Sequence, residues 1–109
     1  MPDPSYRPRD YLAYPKKFGI VDDPELIGQM SLIEQARAAA AKKQCSHAYT
    51  TRKLLAQHNV TRKRVAAATG MSYQRFSRLL TGEIVMRLED VERLRLYFKD
   101  IPDPDESFA

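Results

Sequence analysis

The chain has 109 residues, 43% of them hydrophobic, and this length and composition predict one small domain with a single core. Its 18 basic and 14 acidic residues give a net charge of +4. Its single cysteine, Cys45, excludes an intramolecular disulfide, and no apolar run approaches the roughly 20 residues that cross a bilayer. Because the opening Met-Pro-Asp-Pro lacks the basic and apolar regions of a signal peptide, we expect a cytoplasmic protein.

Residues 1–23 are predicted to form an extended N-terminal arm. Four prolines interrupt this stretch and oppose helix formation, and its apolar residues do not alternate as they would in a strand. Tyrosines and pairs of basic residues lie between the prolines. We therefore expect the arm to be disordered, to lie across the domain through its tyrosines, or to touch a partner, and the sequence leaves these three possibilities open.

Residues 24–47 are predicted to form an N-terminal helix. Asp23-Pro24-Glu25 provides an N-cap, a proline at the first helical position and an acid in the first turn, which are typical of a helix start. Ser31-Leu-Ile-Glu34 has the capping-box pattern, so a regular helix that begins only at Leu32 is the alternative. We expect this helix to serve in packing or in dimerisation.

Further helices are predicted throughout residues 48–99, and an acidic tail follows at residues 100–109. Two of these helices have Thr or Ser at the N-cap and Gly after the last turn, which are strong boundary signals. Because no strand pattern appears, the fold is expected to be all-α, a compact bundle of four to five helices. The predicted ranges are 48–58, 61–70 with Thr61 as N-cap, 72–82 with Ser72 as N-cap, and 88–99.

The middle of the chain has an unusual concentration of positive charge. Residues 50–82 contain seven Lys and Arg and no acidic residue, which predicts an anionic partner. Three of these cations, Arg62, Lys63 and Arg64, directly follow the N-cap Thr61, where the helix dipole favours acids. A helix N-terminus already presents free N–H groups to an anion. A DNA phosphate bound there would compensate the repulsion between the three cations and the positive end of the helix dipole.

Two short helices with a tight corner are predicted between residues 62 and 81. Ala66 and Gly70 are small and share a helix face, which lets the two helices approach closely. Val65, Phe76 and Leu79 supply the apolar contact that fixes the angle between them. This arrangement is a helix-turn-helix.

The second of these helices has a polar outward face that suits the reading of base pairs. On a helical wheel Gln74 and Arg78 lie opposite Phe76, with Ser77 beside them. Gln pairs with adenine and Arg with guanine in the major groove, and Tyr73 lies in the first turn, which enters the groove deepest. The sequence therefore predicts base contacts from Tyr73, Gln74, Ser77 and Arg78.

The stretch from Val60 to Gly82 resembles the helix-turn-helix of the lambda-repressor-like (Cro/C1-type, xenobiotic-response-element-type) family without a gap. Together with its flanking helices the resemblance covers about residues 48–98 and implies a four- or five-helix domain that binds operator DNA. It also implies that Arg62 contacts phosphate. The family more often has a small aliphatic residue at Phe76 and a short polar residue at Tyr73. The matching positions are Val65, Ala66, Gly70, the Gly-Met-Ser corner, Ser77-Arg78 and Thr81-Gly82.

These observations predict a transcriptional regulator, a repressor that binds double-stranded DNA as a homodimer on a palindromic operator. A dimer is expected because one recognition helix reads too few bases. The alternative is a protein-interaction module, such as an antitoxin or adaptor, on the same scaffold. Sequence-neutral RNA binding is disfavoured, because no exposed aromatic platform accompanies the cations. The predicted phosphate contacts are Arg52, Arg62, Lys63, Arg64 and Arg75.

No enzyme, metal or cofactor is expected. Cys45, His47 and His58 are the only soft metal ligands in the sequence, and the spacing of the first two keeps them off a common helix face. Glycine-rich phosphate loops, nucleophile elbows and Ser/His/Asp groupings are absent from the sequence.

Overall fold

The computed structural model describes residues 6–28 and 31–99, and throughout these residues the ordered elements are helical. The all-α prediction is confirmed, since the described residues contain no strand beyond one isolated bridge between Leu12 and Leu26. The predicted acidic tail at 100–109 lies outside the described residues, as do residues 1–5 of the predicted arm. The elements are two 3-10 turns, Pro8–Tyr11 and Pro15–Lys17, and four α-helices, α1 Leu32–Gln57, α2 Arg62–Thr69, α3 Tyr73–Thr81 and α4 Leu88–Lys99.

Helix α1 begins at the capping box. The Ser31 hydroxyl accepts the backbone N–H of Glu34, and the Glu34 carboxylate accepts the backbone N–H of Ser31. The predicted start at Asp23 is wrong, because the backbone that follows it bonds to the N-terminal residues instead. Ala13 donates to the Glu25 carbonyl and Ile27 to the Tyr11 carbonyl, at 2.8 and 3.0 Å.

The predicted separation of residues 24–47 from a second helix at 48–58 is also wrong, since α1 runs unbroken across that boundary. The length of α1 is explained by one continuous buried face. Small and apolar residues recur along this face at helical spacing and are buried against the rest of the domain, so no position favours a break. They are Ala38, Ala41, Cys45, Ala48 and Leu55.

Helices α2 and α3 form the predicted helix-turn-helix. Gly70 ends α2 and Gly82 ends α3, both in the left-handed conformation, as their positions in the sequence predict. Val65, Phe76 and Leu79 have no exposed surface, so the apolar contact predicted between the two helices is present. Helix α4 packs against α1 and α2 and completes the bundle.

The described part of the predicted arm, residues 6–23, lies across the bundle. Leu12 and Phe18 belong to the hydrophobic core, and the Tyr6 hydroxyl donates to the Arg37 carbonyl on α1 at 2.9 Å. Of the three possibilities left open by the sequence, the arm therefore follows the one in which it lies across the domain. Leu12 and Phe18 anchor it in the core more deeply than its tyrosines do. Among the described residues, none of the helices has the length and apolar character needed to cross a bilayer.

Candidate nucleic-acid interface

The N-terminus of α2 is a concentrated positive site. The Thr61 hydroxyl accepts the backbone N–H of Arg64, which confirms Thr61 as the N-cap, and the first turn contains no acid. Lys63 and Arg64 are exposed, and Arg62 is half-buried. Within residues 6–28 and 31–99 none of these three cations has an acidic partner, so their charge is available to an anion.

Helix α3 presents a polar face to solvent. Its inner side, formed by Phe76, Leu79 and Leu80, is fully buried. Gln74 and Arg78 are exposed on the other side, and Tyr73 is 48% exposed in the first turn. The Ser72 hydroxyl caps the helix by accepting the backbone N–H of Arg75 at 3.1 Å. Three of the four predicted base-reading side chains are thus accessible on one short helix.

Ser77 is less exposed than the sequence predicted. The residue is half-buried, and its Oγ atom is inaccessible to solvent and has no hydrogen-bond partner among the described residues. The helical wheel located Ser77 at the edge of the outward face, where the packing of neighbouring elements decides exposure. The Ser77 hydroxyl is therefore not accessible on the outward face of α3, where Gln74 and Arg78 are exposed.

Arg75 is also not the free cation expected from the sequence. Its Nη1 and Nη2 atoms donate to the two carboxylate oxygens of Asp90 on α4, at 2.7 and 2.8 Å. Asp90 Oδ2 accepts the backbone N–H of Arg87 as well, at 2.9 Å. Burial favours protonation of Asp90, but the hydrogen bonds from Arg75 and Arg87 outweigh it and lower the pKa of this carboxyl. Arg75 therefore links α3 to α4.

Arg52 lies at the C-terminal end of α3. Its Nη2 atom donates to the Leu80 carbonyl at 3.4 Å, and its Nε atom is buried with no hydrogen-bond partner among the described residues. Burial lowers the pKa of Arg52, and the charge of Arg62 lowers it further. The two guanidinium groups thus contribute to one positive region. Arg62 is the cation at the N-terminus of α2, and Arg52 supports the C-terminal end of α3.

Gln44 is a structural determinant of this site that the sequence reasoning missed. Its buried side chain donates to the Leu79 and Ile84 carbonyls, at 3.0 and 2.9 Å, and accepts the backbone N–H of Met86 at 2.8 Å. One amide on α1 therefore holds the end of α3 and the loop after it. The sequence did contain a signal, since Gln44 is a polar residue on a face of α1 that carries mostly apolar residues.

Comparison with known proteins agrees with this geometry. Residues 52–99 match the family model described as the Cro/C1-type HTH DNA-binding domain. This segment belongs to that family. The lambda-repressor-like resemblance of the helix-turn-helix is thereby confirmed. Searches of curated proteins and of solved structures gave no match.

The Cro/C1-type domain begins inside α1 and ends with α4, so it includes the whole helix-turn-helix. The match supports DNA binding by this segment. The N-terminal residues that lie across the bundle are outside the matched range. Across the part of the chain that the structure describes, no group of three or more His, Cys, Asp or Glu side chains could hold a metal ion.

Proposed function

We propose that the chain is a sequence-specific transcriptional regulator, a repressor that inserts α3 into the major groove of double-stranded DNA. The observation that carries this proposal is the joint exposure of Tyr73, Gln74 and Arg78 on the outward face of α3. Amide and guanidinium groups form paired hydrogen bonds with adenine and guanine edges, so Gln74 and Arg78 are the proposed base readers. Tyr73 contacts the neighbouring base or sugar from the first turn.

The N-terminus of α2 is the proposed phosphate site. Free backbone N–H groups and the charge of Arg62 favour one phosphate close to this helix end. Lys63 and Arg64, which are exposed, extend the attraction along the DNA backbone. These contacts fix the register of α3 and carry no base preference of their own.

The repressor is proposed to act as a homodimer on a palindromic operator, with half-sites about one helical turn apart. Its proposed interface is the apolar groove between α1 and α4, which has a volume of about 420 Å³ and includes Leu54, Val91 and Phe98 among its lining residues. Leu88 is 86% exposed at the start of α4, where a second copy would cover it. A second copy is the proposed occupant because one short α3 contacts too few bases for a specific site.

Selection of binding sites from random duplex DNA with the full chain tests the proposal. We expect an enriched palindromic sequence with two half-sites. Unselective binding would contradict a sequence-specific regulator, and enrichment of one half-site alone would contradict the homodimer.

A protein-interaction module such as an antitoxin or adaptor remains the alternative, and the same α1 and α4 groove is the feature that favours it. In that case a different protein would cover the groove. A monomeric chain that selects no duplex would favour this alternative.

A further inference from the structure

The C-terminal end of α3 is held from outside the helix-turn-helix. A helix ends with carbonyl groups that have no partner within the helix. Here the Leu79, Leu80 and Gly82 carbonyls accept hydrogen bonds from other parts of the chain. The donors are the Gln44 side chain at 3.0 Å, the Arg52 side chain at 3.4 Å and the Arg9 backbone N–H at 3.1 Å.

Two residues of the N-terminal arm, Phe18 and Gly19, lie directly against this helix end. Gly82 has a φ of 75°, and a Cβ added there would lie 2.7 Å from the Phe18 ring. Gly19 has a φ of 76°, and a Cβ added there would lie 2.5 Å from the Leu80 carbonyl oxygen. The glycines therefore permit a contact so close that an added methyl group would force the backbone or the ring to move.

Gly19 is itself bonded to α1, and Phe18 is buried in the core. The Gly19 backbone N–H donates to the Cys45 Sγ atom at 3.3 Å, and the Cys45 thiol donates to the Val21 carbonyl at 3.2 Å. Phe18 is 2% exposed. Hence α1 supports the arm, and the arm supports the end of α3.

We propose that Phe18 and Gly19 are positioning residues that set the tilt of α3 in the major groove. They lie outside the matched residues 52–99, so the base preference of this chain depends on a segment that precedes its DNA-binding domain. The inference rests on the proposed function. Paired hydrogen bonds to bases tolerate only small displacements, whereas attraction to phosphates changes slowly with distance, so a shift of α3 would reduce selectivity more than general affinity.

The test compares two duplexes with the full chain: the sequence that the wild-type protein selects from random DNA, and a scrambled version of equal length. Phe18→Leu keeps most of the apolar volume but removes the ring at Gly82, and Gly19→Ala introduces a methyl group against the Leu80 carbonyl. We expect each variant to lower the ratio of selected to scrambled affinity by about tenfold, the discrimination that one good base contact provides.

Two control variants separate positioning from stability. Tyr14→Ala changes a residue of the same arm that is 62% exposed. Leu55→Val weakens the core from α1 at a residue that is 8% exposed and does not line the proposed dimer groove. A loss of folded protein reduces both affinities alike, so the ratio should stay within about twofold of wild type in both controls.

The outcomes distinguish the two proposals. If the wild-type chain selects a sequence and Phe18→Leu and Gly19→Ala retain its ratio, positioning by the arm is overturned and sequence-specific binding stands. If the wild-type chain selects no sequence, the proposed function fails and the inference fails with it. Should Gly19→Ala not fold, the ratio for Phe18→Leu decides alone, because that substitution is the milder of the two.

Discussion

Arg75 and Asp90 form a two-point ion pair that joins the recognition helix α3 to α4, with N–O distances of 2.7 and 2.8 Å. The Asp90 side chain is only 4% exposed and the Arg75 side chain 29%. Because the pair is partly shielded from water, Asp90→Asn should lower the free energy of unfolding by about 1 to 3 kcal/mol. Urea denaturation measures this loss. Glu89→Gln, on the same turn, is the matched control, because it removes only an exposed ion pair with Arg93 and should change stability by about 0.5 kcal/mol or less.

The same ion pair predicts how stability depends on pH. The pKa of Asp90 is lower in the folded state than the unfolded value of about 3.9. The stability that the Asp90 carboxylate contributes is therefore fully present above the unfolded pKa and is lost as pH falls through the folded pKa. The wild-type chain should therefore lose more stability than Asp90→Asn when pH is lowered from about 6 to about 3. Urea midpoints across this range give the comparison, and parallel curves for the two proteins would show that Asp90 is not the responsible group.

Ser77→Ala is expected to preserve or increase stability. The substitution removes a buried hydroxyl that has no hydrogen-bond partner among the described residues, and it introduces a better helix former. We expect a gain of about 0.5 kcal/mol in thermal or urea unfolding. Base preference should be unchanged if the hydroxyl stays covered in the complex. A loss of preference at one operator position would instead restore Ser77 as a base reader.

Leu88→Ser should weaken the proposed dimer while leaving the monomer folded, because Leu88 is exposed and contributes little to the core. Light scattering over a range of protein concentrations should show a dimer for the wild-type chain and a larger monomer fraction for the variant. Ile20→Ser, an exposed apolar residue of the N-terminal arm, is the control. A wild-type monomer at tens of micromolar, or an equal effect of both substitutions, would contradict the proposed interface.

The helix-turn-helix could be predicted from the sequence because its boundaries are set locally. Thr61 and Ser72 each accept the backbone N–H three residues further along the chain. Gly70 and Gly82 adopt the left-handed conformation directly after the two helices. Each of these signals involves neighbouring residues. Helical periodicity also identified the buried side of α3, and therefore the exposed positions of Gln74 and Arg78.

The remaining features depend on contacts between distant parts of the chain. The Asp23-Pro24-Glu25 start has good local features, but its backbone is used by the N-terminal arm. The partner of Arg75 lies 15 residues away on another helix, where a helical wheel cannot locate it. Phe18 enters the core from a segment without periodicity, so no pattern marked it as buried.

Sequence-specific reading by α3 is the central claim, and the affinities of three variants for selected and scrambled duplexes test it most directly. Gln74→Ala and Arg78→Ala should each reduce discrimination by about 1 to 3 kcal/mol, because each loses contacts to base edges. Arg62→Ala should weaken binding to both duplexes alike and reduce the slope of log affinity against log salt by about 0.9, the value for one phosphate contact. Equal losses on both duplexes in all three variants would contradict the account.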